Sequence, residues 1–221
     1  MRDNKFVGTV ATLVALSSGL AIVFSLSGGF GPSLNPSPHE EAGRVLARQT
    51  LSLLKPGSRI TVITRDTVAF QNPAADVQFA AFRKELAKGG AKIDSIQVIQ
   101  IDPLRPAVVP AGDFFQCIKS SAKGAVIVSL LGPPLLTEAQ MAQLGEVKPA
   151  IVAFCSGPVR GQVDLKALFA QGLLQAAVVS KHDIAITRSS AQNAREAFDR
   201  QFLEVTPGNL ATLTVGRNSS P

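Results

Sequence analysis

The chain has 221 residues, 46% of them hydrophobic and 17% charged, a balance that supports one buried core and excludes wholesale disorder. Its formal charge of +6 is scattered, Arg83-Lys84 is the one adjacent Lys/Arg pair, and Trp and Tyr are absent, so no nucleic-acid partner is expected. Two cysteines and two histidines, with no CxxC or HxxxH spacing, exclude a disulfide framework and leave no metal site to propose.

The chain opens on a short polar start with Arg2 and Lys5, followed from Phe6 to Leu26 by twenty-one uncharged residues. As a helix this stretch would span about 30 Å, the thickness of a bilayer's hydrocarbon core. No Lys or Arg follows until Arg44, so the positive-inside rule puts residues 1–5 in the cytoplasm and the rest across the membrane. The expectation is a single-pass signal anchor in the inner membrane with a periplasmic domain. A cleaved signal peptide is the alternative, although its apolar core is normally shorter. Residues 27–37 are rich in Gly, Pro and Ser and read as a linker.

Residues 38–206 read as the extracytoplasmic domain. Ser37-Pro38-His39-Glu40 suggests a capping box with Pro at the first helical position, and apolar residues recur at helical spacing until Lys55-Pro56-Gly57. Helices and short apolar strands then alternate. Strands are expected at Ile60–Ile63, Ile96–Ile101, Ala125–Leu131, Ala150–Phe154 and Leu174–Val179. The intervening helices start at Asn72-Pro73, with an apolar face of Val77, Phe79, Ala80, Phe82 and Leu86, then at Gly112-Asp113, at the capping box Thr137–Gln140 and at Asp164. A helix near Gln192–Arg200, an edge strand at Phe202–Val205 and a flexible tail over 207–221 complete the chain. Nearly continuous apolar strands separated by helices require a parallel sheet covered on both faces. The expected fold is therefore α/β: a single doubly wound, mostly parallel five-stranded sheet behind one transmembrane helix.

Ligands of such sheets gather at the carboxyl ends of the strands. The residues placed there that could hold a small polar ligand are Thr64, Asp66, Asp102, Arg105, Cys155 and Ser156. The same residue types also serve as caps and turn formers. Cys155 has three readings: a nucleophile with His182 one strand later, a disulfide with Cys117, or a buried small hydrophobe. Neither GxGxxG nor GxxxxGK[ST] follows the first strand, and GxSxG is absent, so no nucleotide cofactor and no hydrolase elbow is expected.

The run Arg59–Thr67, then Phe70, then Phe79–Gly90, with the later Gly124–Leu131 and Lys148–Phe154, resembles one lobe of a type I periplasmic-binding-protein domain over about residues 57–181. That family closes two lobes over a ligand, and one lobe alone would need another subunit to supply the opposite wall. Three functions are consistent with the residues. The first is a non-catalytic, membrane-anchored subunit docking on a membrane-protein partner or on a second copy. The others are a small-ligand sensor and a Cys-dependent enzyme, of which docking is the primary expectation and an enzyme the least expected.

Overall fold

A computed structural model describes residues 35–66, 71–100, 108–145, 148–156, 163–181 and 193–212. The apolar stretch 6–26 lies outside them, and among the described residues no helix is long and apolar enough to cross a membrane. The compact unit containing these residues begins at Asn35.

The elements follow one another as α1 (Ser37–Leu53), β1 (Ile60–Arg65), α2 (Pro73–Lys88), β2 (Ser95–Ile99), α3 (Ala111–Ser120), β3 (Val126–Ser129), α4 (Glu138–Ala142), β4 (Ala150–Cys155), α5 (Leu165–Ala170), β5 (Ala176–Ser180), α6 (Ala194–Gln201) and β6 (Phe202–Val205). The strands form one six-stranded sheet in the order β2-β1-β3-β4-β5-β6. β1 to β5 are parallel and β6 runs antiparallel on β5. The five expected parallel strands are joined by the expected edge strand at Phe202–Val205, which follows directly on α6 and makes the sheet six-stranded and mixed.

Right-handed crossovers assign the helices to faces. Stepping from β1 out to β2 puts α2 on one face, and stepping back through β3, β4 and β5 puts α3, α4 and α5 on the other. The core is correspondingly double. Ile63, Ile127, Ile151, Ala153 and Val179 pack with Phe114, Ile118, Leu165 and Leu168. On the opposite face Val62, Val128, Val152 and Val178 pack with Phe82 and Leu86 of α2, Ala42, Val45 and Leu46 of α1, and Phe198 of α6. The crossovers leave that second face bare over β3 to β5, and the N-terminal and C-terminal helices fill it.

Local signals hold where a side chain caps its own helix. Asn72 accepts from Ala75 N at 3.1 Å and Asp164 from Ala167 N at 3.0 Å. Thr137 and Gln140 close the capping box in both directions. The expected box at Ser37 does not form. Pro36 is already in helical geometry and Asn35 Oδ1 accepts from Ser37 N at 3.1 Å, so the helix starts one residue early. Glu40 then pairs with Arg44 at 2.8 Å. Glu41 is buried, accepting from Arg48 at 2.7 Å and from Arg44 at 3.1 Å. Burial alone would push its carboxyl up, but the two guanidinium groups outweigh that and hold it below its usual value.

Two further differences concern α2 and the tail. On α2 the buried residues are Gln78, Phe82 and Leu86, whereas Ala80 is exposed, because the helix turns Gln78 towards α1. Pro207–Thr212 forms a 3-10 turn instead of loose tail. Asn209 secures it, accepting from Thr206 N at 2.7 Å and donating to Glu204 O at 2.8 Å.

Candidate functional site

β1 and β3 are neighbours, yet the connection after β1 leaves towards α2 and that after β3 towards α4. The sheet opens a crevice at such a switch point, at the carboxyl ends of the two strands. β3 ends at the buried Ser129, whose Oγ accepts from Leu131 N at 3.3 Å. Gly132 follows at φ 97, a left-handed conformation open to glycine at little cost. Pro133 and Pro134 are buried behind it, so this turn forms a rigid wall.

Side chains alternate along β1. Ile63 belongs to the core layer beneath α3 to α5, so Arg65 points to that same face, paired in register with the buried Ile99. Its Nε is shielded from water and has no hydrogen-bond partner among the described residues. A desolvated guanidinium N–H without an acceptor is a costly arrangement, relieved by an acceptor oxygen brought to it. Arg65 is not among the candidates that the strand-end pattern singles out. Burial of one side-chain nitrogen leaves no trace in sequence.

Of the expected site residues, Asp66 sits at the crevice, half-buried, its backbone N–H donating to Ile99 O at 3.1 Å. Thr64 is on the opposite face, in register with Val98. Ser156 is exposed just beyond β4, two strands or about 10 Å from β1. Asp102, Arg105 and His182 lie outside the described residues.

Cys155, the last residue of β4, has no exposed surface, and burial pushes its thiol up to about 12. At neutral pH it is protonated and unreachable, the reverse of what a nucleophile needs. Cys117 is also buried, its thiol pushed up to about 11 by desolvation. The disulfide reading of Cys117 and Cys155 does not hold, since both cysteines are free. α3 starts at Ala111, so Cys117 lies about 9 Å down the helix, away from the carboxyl end of the sheet that Cys155 occupies. Both thiols serve as small apolar residues of one core layer. Among the described residues no group of three or more His, Cys, Asp or Glu side chains could hold a metal ion.

No protein-family model matches the sequence, and no curated protein matches it significantly. Solved structures do match. An ABC-transporter solute-binding protein from Burkholderia graminis, in complex with D-arabinose, aligns with 80% of this chain and 62% of its own at 19% identity and TM-score 0.51. A periplasmic ribose ABC transporter protein from Conexibacter woesei aligns with 78% of this chain and 58% of its own, at 13% identity and TM-score 0.49. A solute-binding protein from Agrobacterium vitis bound to α-D-tagatopyranose gives 81% and 60%, 18% identity and TM-score 0.47. The chain therefore spans less than two thirds of the length of these relatives. The resemblance to a type I periplasmic-binding-protein fold stands as a likeness of architecture, carried by the first of these alignments.

Proposed function

We propose that the domain is a non-catalytic module that binds a small polar ligand in the crevice between the carboxyl ends of β1 and β3. The observation that carries this reading is the Nε of Arg65 at the switch point, desolvated and without a partner among the described residues, a donor in need of an acceptor oxygen. Asp66 stands beside it in sequence, and the wall Leu131–Pro134 is buried and preformed. A hydroxyl-rich or carboxylate-bearing ligand suits that chemistry, and the arabinose-bound relative makes pentoses the first class to test. The uncharged stretch 6–26 is proposed to tether the module to the outer face of the inner membrane.

Among the three readings of the sequence, ligand binding has the firmer support. To docking on a membrane-protein partner, argued from the uncharged stretch 6–26, the lack of a catalytic set and the single lobe, the fold adds one feature, the half-exposed Ile96 and Val98 of β2. A thiol enzyme using Cys155 is opposed by that residue's burial.

The test is a thermal-shift and calorimetric screen of the purified protein against pentoses, hexoses and small carboxylates. A ligand that binds only the native state raises the melting temperature with its concentration. Binding that survives Arg65→Met, or no stabilisation by any compound in the screen, would remove the support for this reading.

A further inference from the structure

We propose that two copies of this chain associate edge to edge through β2, antiparallel about a two-fold axis at Gln97. β2 lies at the end of the strand order. Its sequence Ser-Ile-Gln-Val-Ile has neither charge nor proline, the devices that keep exposed edges apart. Ile96 and Val98 share one face and are 48% and 54% exposed.

The register follows from the hydrogen bonds already made. Asp66 N donates to Ile99 O, so the main-chain groups of Ile99, and by alternation those of Gln97 and Ser95, point inward to β1. Those of Ile96 and Val98 therefore point to the open edge. In an antiparallel pair, outward residues must oppose outward residues. Centring the pair on Gln97 sets Ile96 against Val98 of the second copy, and Val98 against its Ile96. All four residues then exchange their free N–H and C=O groups, and their β-branched side chains meet directly.

Charge agrees with that register. Arg83 and Ala87 of α2 line the same cleft as Ile96. Asp76 lies seven residues, about 10 Å, towards the helix start on the same stripe, and Asp76, Ala80 and Arg83 are all exposed. A two-fold axis at Gln97 runs the two α2 helices antiparallel above the joined sheets. Asp76 of each copy then faces Arg83 of the other, with the small Ala80 between them.

The experiment uses the full chain in mild detergent. Light scattering on a sizing column should give a dimer. Gln97 meets its own copy at a non-hydrogen-bonded position, whose Cα separation suits a disulfide. Gln97→Cys should therefore form a covalent dimer under mild oxidation. Wild type should not cross-link, because Cys117 and Cys155 are buried, and Ser95→Cys should not, because its opposite number is Ile99. Asp76→Arg should weaken the dimer, and adding Arg83→Asp should restore it, with circular dichroism confirming that each variant is folded. A monomeric wild type, equal cross-linking at positions 95 and 97, or a charge swap that fails to restore association would each overturn the proposal. A dimer unaffected by Ile96→Lys would place the interface elsewhere and overturn it too.

Discussion

Gly43 of α1 lies directly beneath the main chain of α2: a methyl group added to it would sit 2.2 Å from the carbonyl oxygen of Gln78 and 2.9 Å from the amide nitrogen of Phe82. No real Cβ tolerates the first distance, and the obstacle is backbone, which cannot swing aside. The helix that covers the sheet face left bare by the crossovers is thus locked to α2 through one glycine. Gly43→Ala must push the helices apart, and overpacking of this kind costs about 1–3 kcal/mol. A urea midpoint lowered accordingly at unchanged slope is expected, and an unaltered midpoint would show that the crossing is looser than described.

On the other side of that contact, Gln78 is 3% exposed and its Nε2 has no hydrogen-bond partner among the described residues. A buried donor without an acceptor carries a penalty of about 1–3 kcal/mol. Gln78→Met keeps the volume and removes the amide, so the variant should melt higher than wild type. A lower melting temperature would mean that the amide is satisfied in solution.

Arg65 should separate stability from binding. Arg65→Met removes a desolvated donor from the crevice and is expected to leave the ligand-free domain as stable as wild type or more so, while abolishing ligand-induced stabilisation. Sites kept for function commonly cost stability in this way. Loss of both together would mark Arg65 as structural.

His39 sets a pH dependence. It is half-buried, its ring edge-on to Phe202 at 5.5 Å, and burial lowers its pKa below 6.5. Between the folded value and 6.5 the unfolded chain binds more protons than the native one, so stability is full above 6.5 and falls as pH drops through that window. His39→Phe keeps the aromatic contact and should flatten the melting temperature between pH 7.5 and the lower end of the window. Glu41, whose pKa is also lowered, acts in a separate range, losing its contribution as pH falls below 4.5. An unchanged slope in His39→Phe would rule out His39 as the titrating group.

The thiols should be silent in the native protein. With Cys155 pushed up to about 12 and Cys117 to about 11, a thiol reagent at pH 8 should report none of them until denaturant is added, and then both. Fast labelling of one thiol in the native state would contradict its burial.

How far the sequence reads depends on the range of the interaction. Asn72, Thr137 and Asp164 were legible as caps because donor and acceptor lie three residues apart. Ser37 misled because two prolines and Asn35 offer a competing start one residue earlier. Gln78 was unreadable as a buried residue because its burial depends on Gly43, thirty-five positions away along the chain. The same holds at the site. Asp66 could be placed at a strand end from pattern alone, whereas the isolation of the Arg65 Nε depends on how the elements pack around it, and the separation of Cys117 from Cys155 on where α3 begins.

The amino-acid order by itself determined the alternation of helices and strands and the parallel sheet with covered faces, since hydrophobic period and capping act within a few residues. Tertiary structure alone decided which terminal helices close the second face, which guanidinium nitrogen is cut off from water, and that Ile96 and Val98 stay uncovered at the edge. Those outcomes depend on register and crossing geometry between segments far apart in sequence, where burial is the joint property of several elements and no single segment encodes it.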